Sequence, residues 1–489
     1  MEFKFDFDPD RLAKLKALRE NGYEPYGGKY EPTKHSIEIR SDFDKLNGSE
    51  VKVAGRIMAK RDHGKLKFLD LADETGNIQI YITENGLEGR SKSLLTYLDA
   101  GDIVGVFGMI IKTKSGEVSV QAKEITLLAK SLLPLPPKWY GLEDTEKRYR
   151  KRYLDFIINT DSREKIKKGS IMLSAIRDML QKKGFLEVTV PILHAIPGGT
   201  NAKPFITRYN ALDQDFYLKI ASELYLKRML VGGFERVFDI SKDLRNEGVD
   251  TRHSPEFTML ELYQAYGDLS DMLVITEEMI KTAIYAANKT YIVDYNGNKL
   301  DFSKFAIKTM EESVKEELKE VDQKSLIERA KKIDKKVEAY GEAINALFEE
   351  YVQKKLVQPT FITKYPIEVS PLAKNMKEDK RFVYRFELYV AGMEIANAFS
   401  ELNDPVEQIN RFNQEAQRKE RGIEETQEFD RDFVEALGYG MPPAGGVGIG
   451  IERLQMIGTN SSSMKEVIAF PTLKSVEDEE KTQNESEQL

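Results

Sequence analysis

The 489-residue chain contains no cysteine, which removes disulfides, thiol nucleophiles and Cys-ligated zinc from consideration. It has only four histidines, too few for a His-rich metal site, so any metal should be a hard cation held by carboxylates. No uninterrupted apolar run approaches the roughly 18 residues of a membrane-spanning helix, and no membrane association is expected. The opening MEFKFDFDPD is acidic where a signal or transit peptide would be basic, so the expected address is the cytoplasm. What is present, 41% hydrophobic and 31% charged residues, describes a globular protein rather than a disordered or fibrous one. Its length suggests roughly three folding units.

The net charge of −8 taken alone argues mildly against a polyanionic partner. Its distribution argues otherwise. The last fifteen residues, SVEDEEKTQNESEQL, hold six acidic groups and one lysine and read as a solvated tail over 476–489. Lys52, Arg56, Lys60, Arg61, Lys65 and Lys67 face only Asp62, and five of the six residues from Lys147 to Arg152 are basic. Charge runs are commonly just solvated faces, so these patches gain meaning only from their context.

Residues 11–19 place Leu12, Leu15 and Leu18 at helical spacing among basic residues. Strand-like runs follow at Val51–Ile57, Lys67–Leu71 and Ile78–Ile82, then a helical stretch near Ser91–Tyr97, then Ile103–Phe107, Val118–Ala122 and Ile125–Leu128. Three strands, a helix and two or three more strands fit a five-stranded OB-fold barrel. The expected organisation is an N-terminal helix and OB barrel over 1–130, a stiff linker over 131–145 containing LLPLPP, and a second domain over 146–475. That domain opens with a helix from Arg163 to Lys183 and a strand from Phe185 to Leu193. It carries a helical, highly charged insertion at about 285–355, and the fold class is α+β.

In ERVFDISKDLRNEGVDTRHSPEFTMLELYQAY (235–266), period-2 alternation sets Phe257, Glu261 and Tyr263 on one face and Thr258, Leu260 and Leu262 on the other. The preceding strand brings Arg245 and Glu247 toward the same hairpin. A planar guanidinium and an aromatic platform suit a nucleotide, because Arg matches phosphate oxygens bidentately and Phe stacks on a base. An Arg–Glu pair on an exposed hairpin is the alternative. In PPAGGVGIGIERLQMI, glycines precede Arg453 in the first turn of a helix, although such a stretch is more often a turn than a phosphate site. Glu387, Glu394 and Glu401 recur at intervals of seven and suggest Mg²⁺ ligands, with chance spacing the alternative.

The RNEG…RHSPEFTMLELY and GGVGIGIER blocks, with IPGGTNAKPF and EIANAFSELNDP, resemble the motifs of class II aminoacyl-tRNA synthetases and specifically of the lysyl-tRNA synthetase family. GRIMAKRDHGKLKFLDLADETGNIQIY resembles that family's anticodon-binding OB domain. The likeness runs from about residue 10 to 473, with the motifs in the family's order. HIGH and KMSKS, the class I signatures, are absent.

The resemblance implies a class II catalytic domain, an antiparallel sheet flanked by helices. It implies ATP-dependent attachment of L-lysine to tRNA(Lys) through a lysyl-adenylate, with Mg²⁺ as cofactor and a homodimer built on the helix–strand motif after residue 163. By motif position, Arg245 would hold the α-phosphate and the lysine carboxylate, and Arg453 the γ-phosphate. Phe257 would stack on adenine, Glu247 would face its amino edge, His253 would reach the outer phosphates, and Glu387 and Glu394 would bind Mg²⁺. Glu261 and Glu401 with Tyr263 would compensate the ε-ammonium of lysine, Glu223 and the backbone of Gly199 would take the α-ammonium, and Asn397 would lie near the carboxylate. In the barrel, Phe68, Gln79 and Glu124 would read the central uridine of a U-rich anticodon, with Arg56 nearby; a core role is the alternative for Phe68.

One point of geometry is open: strand parity joins Asn397 and Glu401 but turns Glu394 away, so a bulge or turn must intervene. Lys203, Ser254, Glu452 and Val190 depart from the family's usual residues, weakening detail rather than identity. Two other readings compete, a paralogue that lysylates a protein and a catalytically dead RNA-binding relative. Such paralogues lack the anticodon domain that this chain carries, and both arginines and both Mg²⁺ glutamates are intact.

Overall fold

The computed structural model describes residues 4–83, 85–136, 144–320, 322–423 and 426–474. The chain divides into two compact units at residues 143 and 144. Part of the expected linker, 137–143, and the expected acidic tail lie outside the described residues.

In the first unit, helix α1 (Pro9–Glu20) starts where Asp8 accepts a hydrogen bond from the Arg11 amide at 3.0 Å, with Pro9 supplying a preset first turn. Leu15 and Leu18 are buried, while Leu12 stays exposed. Strands β1 (Glu50–His63), β2 (Leu66–Ala72), β3 (Asn77–Thr83), β4 (Ile103–Lys112) and β5 (Val118–Ala129) close a barrel in the order β1-β2-β3-β5-β4. Alternate residues fill its interior, among them Val51, Val53, Leu69, Leu71, Ile78, Ile80, Val104, Val106 and Val120. The two runs at 118–122 and 125–128 are one strand. Its pairing shifts between Phe107 and Gly108, leaving Lys123 as the extra residue and turning Ile125 and Leu127 inward.

In the second unit, α2 (Thr160–Lys182) replaces the expected Arg163–Lys183 with little change. The expected strand from Phe185 to Leu193 is broken. Only β6 (Leu186–Glu187) pairs, in parallel with β7 (Arg236–Leu244), and Leu193–His194 joins a separate small sheet. Pro191, which has no amide to donate, lies between the pieces. After α3 (Glu223–Val231) and β7 come β8 (Glu256–Ala265), α4 (Leu269–Asn288), β9 (Ala306–Thr309), β10 (Thr360–Pro366), β11 (Phe382–Val390), β12 (Met393–Ser400), β13 (Ala444–Gly450) and α5 (Ile451–Gly458). The sheet order is β9-β10-β11-β12-β13-β8-β7-β6, antiparallel except at its two edge pairs.

The insertion differs from a uniformly helical 285–355. Residues 285–288 finish α4, a hairpin follows at Ile292–Asp301, β9 is the edge strand of the main sheet, and the helices run from Met310 to Tyr351. β9 is only four residues long and adds a strand in parallel to β10, a pairing no local pattern announces. The glycine-rich stretch is likewise a strand in the middle of the sheet rather than a turn.

One sheet face carries Leu260, Leu262, Phe386, Leu388, Ala396, Ala398, Val447 and Ile449, and α2 and α4 bury it with Met172, Ile176, Met279, Ile280 and Ile284. Each of the larger of these side chains contributes about 2 kcal/mol when removed from water. The opposite face is free to carry polar groups.

Candidate active site

That opposite face floors a cavity of about 420 Å³. Glu261 and Tyr263 project from β8, Glu387 from β11, Glu394 and Asn397 from β12, and Arg453 from α5, while Gly199, Glu223, Arg245, Glu247, His253 and Phe257 complete the wall. Of the expected catalytic-domain residues only Glu401 is not on the wall. It lies directly behind Gly446, where an added Cβ would collide with its carboxylate and with the Tyr263 ring. The glycines of β13 therefore bring a buried carboxylate up against the pocket floor.

The parity problem resolves through a bulge. Leu388 pairs with Ala396 and Tyr389 with Glu394, so Ile395 is an extra residue and Glu394 returns to the face of Glu387 and Asn397. Burial together with the nearby Glu387 pushes the Glu394 carboxyl up to about 7. Glu387 is itself braced, accepting from Tyr365 Oη at 2.8 Å, from Arg385 at 2.5 Å and from Tyr389. No cluster of three or more metal-ligating side chains occurs among the described residues. Two carboxylates on one face, one of them raised by the other, nevertheless suit a cation whose remaining ligands come from a phosphate substrate.

At the end of the cavity lined by arginines, the Arg245 guanidinium stands 5.0 Å from the Phe257 ring centre, and its Nε and Nη2 lie 3.4 Å from the Ile220 carbonyl. Arg453 Nη1 donates to the Glu394 carbonyl at 2.9 Å, and Nη2 donates to His253 Nε2 at 3.0 Å. His253 Nδ1 lies 2.7 Å from Asp250, which fits a proton on Nδ1 while Nε2 accepts. Glu452, buried before Arg453, accepts from the Thr258 amide at 2.7 Å and hydroxyl at 2.8 Å and so fixes the entry to α5.

The deeper end is crowded with charge. Glu261 accepts from the Ser222 amide at 2.9 Å and from Tyr263 Oη at 3.2 Å. Burial, Asp243 and Glu223 push its carboxyl up to about 8, and burial and Glu223 raise Glu401 to about 8 despite the opposing pull of Lys227. Glu223 is raised by burial as well. Gly199 has φ +93°, and a Cβ there would press on Ala221 and Glu223, so its bare backbone sits against the latter. Asn397 Oδ1 accepts from Arg385 Nε at 3.1 Å.

Arg385 and Lys227 were not anticipated from the sequence. Arg385 shares a strand face with Glu387 two residues on, and Lys227 follows Glu223 by one helical turn, so the spacing of both was available.

Two family models match the chain. The model described as tRNA synthetases class II (D, K and N) matches residues 144–474, and that of the OB-fold nucleic acid binding domain matches residues 51–128. The lysine–tRNA ligase of Carboxydothermus hydrogenoformans is 49% identical over 473 residues, 95% of this chain and 97% of that protein. The lysine–tRNA ligases of Pelotomaculum thermopropionicum and Moorella thermoacetica are each 47% identical, over 95% and 98% of this chain and 94% and 100% of theirs. The chain belongs to the class II lysine–tRNA ligase family.

In this class II synthetase the barrel assembles its expected residues only in part. Phe68 on β2 is half-buried and faces outward, its ring 5.6 Å from that of Tyr81 and 5.9 Å from the Arg61 guanidinium. Its neighbours Leu69 and Leu71 fill the interior instead. Gln79 pairs with Asp70, two residues along from Phe68, and accepts from Ser119 Oγ at 2.9 Å. Glu124 is exposed and lies farther along β5, where it pairs with Phe107, five residues beyond the Ser119 that pairs with Gln79 and three beyond the Gln121 that pairs with Tyr81. Arg56 is also apart, since β1 pairs Arg61 with Phe68 and sends Arg56 to the Gly101 carbonyl at 2.8 Å. The basic patch is partly consumed internally, with Lys60 bonded to the Leu95 and Leu98 carbonyls and Arg61 paired with Asp70 at 2.6 Å.

Proposed function

We propose that this chain uses ATP to activate L-lysine as lysyl-adenylate and then transfers the lysyl group to the 3′-terminal ribose of tRNA(Lys), releasing pyrophosphate and AMP. The observation that carries the reading is the buried carboxylate cluster of Glu223, Glu261 and Glu401 at one end of a cavity whose other end bears Arg245 and Arg453. Buried anions of this density call for cations, and an amino acid with two ammonium groups supplies them.

In the first step the lysine carboxylate attacks the α-phosphorus in line, and no side-chain nucleophile is required. Arg245 holds the α-phosphate and the attacking carboxylate, while Arg453 and His253 hold the outer phosphates, so that charge is met as it spreads over phosphate oxygens. Phe257 and Glu247 take the adenine. Glu387 and Glu394 would hold Mg²⁺, which neutralises phosphate charge when bound. Tyr263 and Glu261 face the ε-ammonium with Glu401 behind them, Glu223 and the Gly199 backbone face the α-ammonium, and Asn397 faces the carboxylate.

On the barrel, Phe68 and Gln79 are the proposed readers of a single-stranded anticodon base, with Arg61 rather than Arg56 at the ring. The exposed apolar side chains Ile171, Leu186, Ile192, Leu193 and Ile206 around α2 and β6 favour a two-fold homodimer through that motif. No helix of the described residues is long and apolar enough to cross a membrane, and the proposed site of action is the cytoplasm.

Charging of unfractionated tRNA with each of several labelled amino acids tests the reading. Lysine alone should become acid-precipitable, and charging with aspartate or asparagine instead would replace it.

A further inference from the structure

Lys227 on α3 is a fully buried lysine set among the carboxylates of this pocket. Its ammonium lies 2.5 Å from Glu223 and 2.5 Å from Glu401, the residues assigned to opposite ends of the bound amino acid. It is not on the cavity wall but behind it, so it does not occupy the place of a ligand. The Glu401 oxygens, though charge-paired with Lys227, accept no well-formed hydrogen bond from the described residues.

We propose that Lys227 is a resident counter-cation and positioning residue that leaves the amino-acid pocket short of two positive charges, the number an incoming lysine supplies. The proposal rests on the lysine-ligase reading of the site. Glu223, Glu261 and Glu401 carry three negative charges when ionised. Lys227 returns one, and the α- and ε-ammonium groups of the substrate balance the other two of these three, while the substrate carboxylate has Arg245 as its own partner. An amino acid with a neutral side chain leaves one buried carboxylate unpaired, which is costly in a dry site. Discrimination thus comes from a charge count shared with a group that never touches the substrate.

The surroundings add to this count rather than cancel it. Behind Ser222, Lys219 lies 3.3 and 3.2 Å from Asp239 and Asp243, one cation for two carboxylates; burial pushes the Asp243 carboxyl up, and Asp243 in turn raises Glu261. Arg385, paired with Glu387, also eases the charge on Glu223. The Phe433 ring, centred 5.9 Å from the Lys227 ammonium, favours a cation without adding a charge. Tyr263 adds only a neutral hydroxyl on Glu261. Burial opposes the charge on Lys227, yet Glu223 and Glu401 hold its pKa above the ordinary lysine value.

An empty pocket with surplus negative charge takes up protons, and lysine must displace them. Calorimetry of lysine binding to the intact protein in buffers of different ionisation enthalpy counts those protons. Release of about one or more per site near pH 7 is expected, and none would overturn the proposal. Lys227→Met should raise the lysine KM in pyrophosphate exchange about 100-fold while the ATP KM moves less than about 3-fold. It should also shift the pH at which lysine affinity reaches its plateau upward by about one unit, because the carboxylates lose their cation. Lys227→Arg, which keeps the charge, should recover most of the affinity. A variant equally impaired for lysine and ATP at every pH would reduce Lys227 to packing and sink the idea. Should Lys227→Met fail to fold, the wild-type proton count still decides. Lysine-dependent exchange in the wild type separates the outcomes: its absence would refute the ligase reading itself, whereas its presence beside an indifferent Lys227→Met would refute only this proposal.

Discussion

In the catalytic unit Glu223, Glu261 and Glu401 are buried against one another and Lys227, whereas on the barrel Phe68 is half-buried and Glu124 is exposed. In the proposed function the first region recognises by compensating charge in a buried place, where each pairing is expensive to lose. The second, in the same proposal, recognises by stacking and edge contacts at a wet surface, where each contact is worth less and salt intervenes. The two regions should therefore respond differently to substitution, and the difference can be broken or sharpened from either side.

Arg245→Ala should give the largest effect. Removing a preorganised guanidinium from the phosphate should cut pyrophosphate exchange by about 10³-fold or more, with the circular dichroism spectrum unchanged. Phe68→Ala should lower aminoacylation about 10- to 100-fold, the value of one stacked base, and leave lysine activation alone. Equal loss of both activities would mean that Phe68 belongs to the barrel's core.

A pH experiment probes the charge cluster with no substitution at all. Glu261 and Glu401 sit near 8 in the folded, empty protein against an ordinary 4.5. The folded state thus holds more protons than the unfolded chain across that window. Their contribution to stability is present at the low end and is lost as pH rises to about 8, at roughly 1.4 kcal/mol per group per pH unit. Lysine pairs the ionised forms, so the rise in melting temperature on adding lysine should grow from about pH 6 to about pH 8 and then level off. A rise that is constant or shrinks over that range would contradict the carboxylate cluster. Glu124→Ala should do least, changing aminoacylation by less than about 2-fold, as befits a surface residue away from Phe68. A loss matching that of Phe68→Ala would restore Glu124 to the reading face.

The catalytic site was the more legible region because its residues lie in long strands whose alternation is enforced by a buried face. Leu260 and Leu262 commit Glu261 and Tyr263 to the other side. Glu394 was the exception, and its contradictory parity implied the bulge at Ile395. On the barrel the outward residues are constrained by no core, and which of them meet depends on strand pairing that the sequence does not spell out. Arg61 rather than Arg56 meets Phe68 for that reason. The short edge strand β9 and the broken segment after Phe185 escaped because a few residues carry no periodicity. Lys227 was overlooked because a lysine one turn after a glutamate ordinarily marks a solvated helix face.

The central claim, a pocket built for two cationic ends of one amino acid, is tested most directly by pyrophosphate exchange with each of the twenty amino acids in turn. The structure predicts exchange with lysine far above all others. A strong signal with aspartate, asparagine or any neutral amino acid would contradict it.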